Sequence, residues 1–237
     1  MFLVIVEPIP PEVDLGFIIS AGSTDARATM QQIKDVIKSF IDKYSTNRVR
    51  YGIISYGSTP RIELALRDSV KPDVKEQVEG ILRPGGTPDL AGALQLGEEL
   101  LSSARPNVKK VLVIITDVKS GSSLSQVNLA VKSLDDKDIL VFAVAVGSEM
   151  DSTELSTATG SSKNIINSSN TDEPEKVREE IMEKIRQGKH NEMLLFQPSV
   201  PSVKTLSRQH YFVTNRRCCF PRRRYNQVIL FGRQIDA

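Results

Sequence analysis

Between Asp14 and Gln187 the chain alternates short apolar runs with longer amphipathic stretches, the pattern of strands and helices wound around a parallel sheet. The apolar runs predict strands over Leu15–Ser20, Val49–Tyr56, Arg61–Leu66, Lys110–Thr116, Ile139–Val146 and Asn164–Ile166. Two of them, VLVIIT and ILVFAVAV, are unbroken and rich in Val and Ile, as expected of central strands covered on both faces. The amphipathic stretches predict helices over Ala26–Tyr44, Lys71–Ile81, Pro88–Ser103, Leu124–Asp135, Ser152–Thr157 and Glu173–Gln187. In the first, Met30, Ile33, Val36, Ile37, Phe40 and Ile41 recur at three- and four-residue steps and give one apolar face to lay on the sheet.

Asp172 is placed to cap the last helix, with Pro174 in its first turn and Gly188 after its end. The expected organisation is an N-terminal extension over residues 1–13 and a folded domain over 14–187. Residues 188–237, where the apolar period fails, are expected to form a basic, poorly ordered tail or the start of another segment. Parallel strands joined by short right-handed crossovers put helices on both faces of an open, doubly wound α/β sheet. Ligands of such sheets bind beyond the carboxyl ends of the strands, where the winding reverses. Ser20, Thr87 and Asp117 all fall at that end.

Three separated segments, LGFIISAGST (Leu15 to Thr24), GGTPDLAGAL (Gly85 to Leu94) and VLVIITD (Val111 to Asp117), resemble the metal-binding segments of the von Willebrand factor type A domain. VRYGIISYGSTPRIELAL, ILVFAVAVGSEMDSTELSTATG and DEPEKVREEIMEKI are similar to further elements of that family in the same order, so the likeness covers about three quarters of the chain. It implies a Rossmann-like fold whose upper crevice carries a metal-ion-dependent adhesion site. In the family that site is built from a first loop ending Asp-x-Ser-x-Ser, a threonine and a second aspartate. A partner's carboxylate completes the metal shell there.

Transferred by position, Thr24, Thr87 and Asp117 remain as oxygen donors, but Ser20 stands for the first aspartate and Gly22 removes a hydroxyl. Val118 also stands where many relatives carry glycine. Mg²⁺ normally takes one or two carboxylates among near-octahedral oxygens, so this degenerate set predicts low occupancy, no cofactor, and weak Mg²⁺ or Ca²⁺ binding at most. On that reading Ser20→Asp with Gly22→Ser restores the motif. The same residues have purely structural roles open to them. Asp117 could cap a loop, Thr87 could be the N-cap of a helix beginning at Pro88, and Ser20, Ser23 and Thr24 could satisfy backbone amides.

Composition excludes few classes: 40% hydrophobic and 25% charged residues suit a globular protein, and no apolar run approaches the roughly 20 residues of a membrane span. MFLVIV lacks a basic leader and a cleavage site, so no signal peptide is visible. Charge is more informative. From Gly188 onward nine Lys or Arg stand against two acidic residues, a net of +7, so the remainder carries −5 of the total +2. Arg222, Arg223 and Arg224 are the candidate contacts for a polyanion. Cys218 and Cys219 are adjacent, lie in the same tail and match no zinc spacing, which leaves the domain without a disulfide.

Both histidines, His190 and His210, lie beyond Gln187, so a Ser-His-Asp arrangement cannot form within the domain, and no phosphate-binding glycine motif is present. No enzyme activity is expected. Asn167-Ser168-Ser169 is a glycosylation acceptor compatible with secretion. The resemblance implies a secreted, extracellular adhesion or matrix module that binds a protein ligand, such as the matrix protein collagen, without needing metal. An intracellular scaffold domain of the same family, or polyanion binding through the tail, are the competing readings.

Overall fold

In a computed structural model of the protein, residues 12–22, 26–44, 47–68, 71–146, 150–168 and 173–195 are described. Six strands form one sheet: β1 (Val13–Ser20), β2 (Val49–Ser55), β3 (Arg61–Asp68), β4 (Lys109–Thr116), β5 (Ile139–Val146) and β6 (Ile165–Ser168). Their order is β3-β2-β1-β4-β5-β6, and every neighbouring pair is parallel except β2 and β3. The helices are α1 (Ala26–Lys43), α2 (Lys71–Gly80), α3 (Leu90–Leu101), α4 (Leu124–Asp135), α5 (Ser152–Thr159) and α6 (Pro174–Leu195). The doubly wound open sheet predicted from the apolar pattern is the observed architecture.

Period-two alternation divides each central strand between two cores. Val13, Leu15, Phe17 and Ile19 of β1, with Val111, Val113 and Ile115 of β4, join the apolar faces of α1, α2 and α6. Ile18, Leu112 and Ile114 point the other way and join α3, α4 and α5. All ten of these side chains are fully buried. Each large one stabilises the fold by about 1.5–3 kcal/mol relative to exposure, so the two layers fix the sheet, and with it the level at which β1 and β4 end. Among the described residues no helix is long and apolar enough to cross a membrane.

Several boundaries differ from the sequence reading. β1 begins at Val13, inside the expected N-terminal extension, and its second residue, Asp14, is completely buried. Arg105 makes this tolerable: its Nε and Nη2 donate to Asp14 Oδ1 at 2.9 and 2.6 Å, and its backbone amide donates to Oδ2 at 2.7 Å. The same guanidinium also donates to the carbonyls of Val13, Asn47 and Arg48. α3 starts two residues after Pro88, because Asp89 rather than Thr87 supplies the cap, accepting from the Gly92 amide at 3.0 Å. β6 runs from Ile165 to Ser168, so Asn167 lies within the strand and is exposed.

α6 continues through Gly188 to Leu195, where the sequence reading ended it at Gln187. One glycine in a helix interior costs about 1 kcal/mol, and Lys189, Glu192, Met193 and Leu194 beyond it are good helix formers. The buried residues Val177, Ile181, Met182 and Ile185 all precede that glycine. Truncation after Gln187 is therefore expected to leave the thermal transition of the full chain cooperative and within a few degrees of its position, as read by calorimetry. A lost or broadened transition would show that later residues complete the core. Asp172, Cys218, Cys219 and the arginine cluster Arg222 to Arg224 lie outside the described residues.

Candidate functional site

The chain proceeds from β1 to β2 on one side of the sheet and resumes with β4 on the other side of β1, so the winding reverses between β1 and β4. These two strands run in register to their ends, where Ser20 is paired with Thr116. The loops that follow therefore emerge side by side. The Gly22 amide donates to Asp117 Oδ1 at 2.8 Å and ties them together.

The third wall is the segment between α2 and α3. Its Gly85-Gly86 turn sits on the loop after β2: Ser58 N donates to Gly85 O at 3.0 Å and Asp89 N to Gly57 O at 2.8 Å. A side chain at position 57 would drive its Cβ to 2.1 Å from Gly85 O, so this close approach requires glycine. Together the three loops enclose a crevice of about 400 Å³, lined among others by Ser20, Gly22, Arg83, Thr87, Val118 and Lys119.

The residues singled out in the sequence are only partly assembled there. Ser20 and Thr87 line the crevice, the first buried and the second exposed. Asp117 is buried, does not line it, and turns one carboxylate oxygen to the Gly22 amide. The sequence left open a capping role for Asp117 in the loop that follows it; the bond it accepts comes instead from the loop after β1. Thr24 and Ser23 lie outside the described residues.

Two basic residues that the sequence reading did not select occupy the walls instead. Arg83 donates from Nε to Ala21 O at 3.0 Å and from Nη2 to Gly22 O at 3.4 Å, which brings a guanidinium onto the carbonyls of the first loop. Lys119 forms an ion pair with Asp151 at 2.8 Å. That contact, together with the amides of Glu154 and Thr153, holds the Asp151 carboxyl below the ordinary aspartate range, and Asp151 in turn raises Lys119. The only sequence signal for Arg83 is its place two residues before the Gly-Gly turn.

The loop bearing Asp117 is braced from below. Glu154 of α5 is buried and accepts from both the backbone amide and the hydroxyl of Ser120. Ser122 Oγ donates to Asp89 Oδ1 at 3.0 Å and accepts from the Ala91 amide at 3.1 Å, which links this loop to the start of α3. Tyr56 is fully buried beneath it, and desolvation pushes its hydroxyl well above the ordinary phenol value. The crevice is thus shaped by satisfied hydrogen bonds rather than by loose loops.

The donors among the described residues do not fit a resident divalent ion. Ser20 offers a neutral hydroxyl, Gly22 offers none, and Asp117 has one oxygen engaged by an amide. Space is tight too: a Cβ added at Gly22 would meet the two Val118 methyls at 3.0 and 3.1 Å, so the valine would have to give by a few tenths of an ångström to admit a serine there. Among the described residues no group of three His, Cys, Asp or Glu could hold a metal.

The chain matches the family model described as von Willebrand factor type A domain over residues 14–185. It is 32% identical over 138 residues to von Willebrand factor A domain-containing protein 2 of Mus musculus, covering 56% of this chain and 17% of that protein. It is 29% identical over 153 residues to the collagen alpha-1(XX) chain of the same organism, covering 62% of this chain and 11% of that one. The matched region thus spans less than a fifth of either relative. Among solved structures, proximal thread matrix protein 1 from the mussel byssus, with a zinc-occupied MIDAS motif, superposes with a TM-score of 0.63 at 20% identity. That superposition covers 73% of this chain and 45% of the mussel chain.

Proposed function

This chain belongs to the von Willebrand factor type A domain family, and from that premise we propose that it is a non-enzymatic, metal-independent protein-binding module of a secreted adhesion or extracellular-matrix protein. The observation that carries this reading is the crevice at the switch point. It keeps the place and the loop architecture of a ligand site, while Val118 crowds the position of a hydroxyl ligand and Arg83 and Lys119 supply positive charge. Relatives that include a collagen chain support the matrix setting. Asn167, exposed on β6 in an Asn-Ser-Ser acceptor triplet, is compatible with passage through the secretory route.

Binding to a surface of immobilised collagen is expected to be the same in excess EDTA as in millimolar Mg²⁺, measured by surface plasmon resonance on the full chain. Binding that appears only with the ion would overturn metal independence. Absence of binding in both conditions would count against the collagen assignment.

A further inference from the structure

We propose that Arg83 and Lys119 form a carboxylate-binding pair, so that the crevice takes an acidic side chain of a partner protein directly, with the guanidinium where an ion would otherwise be needed. The inference rests on the reading above that this end of the sheet is the binding end.

Arg83 is exposed yet fixed, because two of its nitrogens are spent on the carbonyls of Ala21 and Gly22. Its Nη1 makes no hydrogen bond among the described residues, and Nη2 keeps a second hydrogen. Together they present the end-on fork that matches a carboxylate. A guanidinium already held in place loses little freedom on binding, so more of the interaction appears as affinity. Lys119 lines the same crevice with a side chain 63% exposed, and Asp151 engages only one direction of its ammonium, which carries three donors.

Among the described residues that line the crevice none is acidic. Asp117 is buried and turned to an amide, and the remaining lining is hydroxyl, methyl, proline and backbone. An anion entering the crevice therefore meets two cations and the exposed Thr87. Its volume of about 400 Å³ suits a side chain with part of its backbone. An extended sulfated polysaccharide fits less well: it needs a track of cations, whereas Asp151 stands at 2.8 Å from Lys119.

The test is an NMR titration of the ¹⁵N-labelled full chain in EDTA with the peptide acetyl-Ala-Glu-Ala-amide, its Gln counterpart and a heparin disaccharide. The Glu peptide is expected to shift the Arg83 Nε–H and the Gly22 and Lys119 amides saturably, and the Gln peptide is not. Arg83→Gln should weaken the Glu peptide about tenfold, the scale of one charge-assisted hydrogen bond, and Arg83→Lys should weaken it less.

Arg83→Gln also releases the first loop, so Lys119→Gln, which leaves that loop untouched, serves as the second variant and should weaken binding several-fold. Equal affinity for both peptides, or no loss in either Gln variant, overturns the proposal. Saturation by the disaccharide with a silent Glu peptide also overturns it, in favour of sulfate recognition. Collagen binding in EDTA that survives Arg83→Gln, with the Glu peptide silent, removes this inference and leaves the proposed function standing. Peptide binding without any collagen binding does the reverse.

Discussion

Arg105→Met should lower the unfolding free energy by about 3–5 kcal/mol, the scale of breaking one partner out of a buried ion pair. Methionine keeps much of the aliphatic stem, so the loss isolates the guanidinium. Without it, among the described residues Asp14 retains the Arg105 backbone amide alone for a carboxylate with no solvent exposure, and the carbonyls of Val13, Asn47 and Arg48 lose a donor each. Urea unfolding followed by circular dichroism gives the number. A loss under about 1 kcal/mol would place the pair with ordinary surface salt bridges. Adding Asp14→Leu to Arg105→Met should recover much of the stability, because an apolar pair no longer strands a charge.

Rebuilding the metal site should take three substitutions, where the sequence motif suggests two. Ser20→Asp supplies the missing charge and Gly22→Ser the missing hydroxyl, but a serine Cβ meets the Val118 methyls at 3.0 and 3.1 Å. The double variant is therefore expected to show little heat with Mg²⁺ or Ca²⁺ in calorimetry. Adding Val118→Gly opens the volume and should bring a dissociation constant of about 0.1–1 mM, typical of weakly charged extracellular calcium sites. A double variant that binds as tightly as the triple would show that Val118 is no obstacle. Micromolar Mg²⁺ binding by the unmodified chain, abolished by Asp117→Ala, would sink the metal-independent reading itself.

The sheet was legible because its central strands are buried on both faces, and so read as apolar runs of strand length with no competing period. β4 and β5 were placed to within a residue at each end. Asp14 was not legible as a strand residue, since an aspartate next to a strand reads as a boundary and its partner stands 91 positions away. Asp89 took the cap of α3 from Thr87 because capping depends on which side chain reaches the Gly92 amide, and spacing alone leaves both in range. At the crevice the departures from the family motif were visible at Ser20, Gly22 and Val118. That Gly22 and Val118 share one volume, and that Arg83 reaches the carbonyls of Ala21 and Gly22, are facts of contact between segments. No local pattern encodes them.

Both margins of the sheet are poor templates for a foreign strand. β6 offers only four residues, and β3 pairs with β2 through two register shifts while carrying the exposed Arg61 and Arg67 around a single exposed isoleucine, Ile62. Short edges, irregular pairing and outward charge are the devices that keep sheets from joining edge to edge. A domain built this way can be crowded at high local concentration, as tandem or neighbouring copies would be, without the sheets zipping into aggregates.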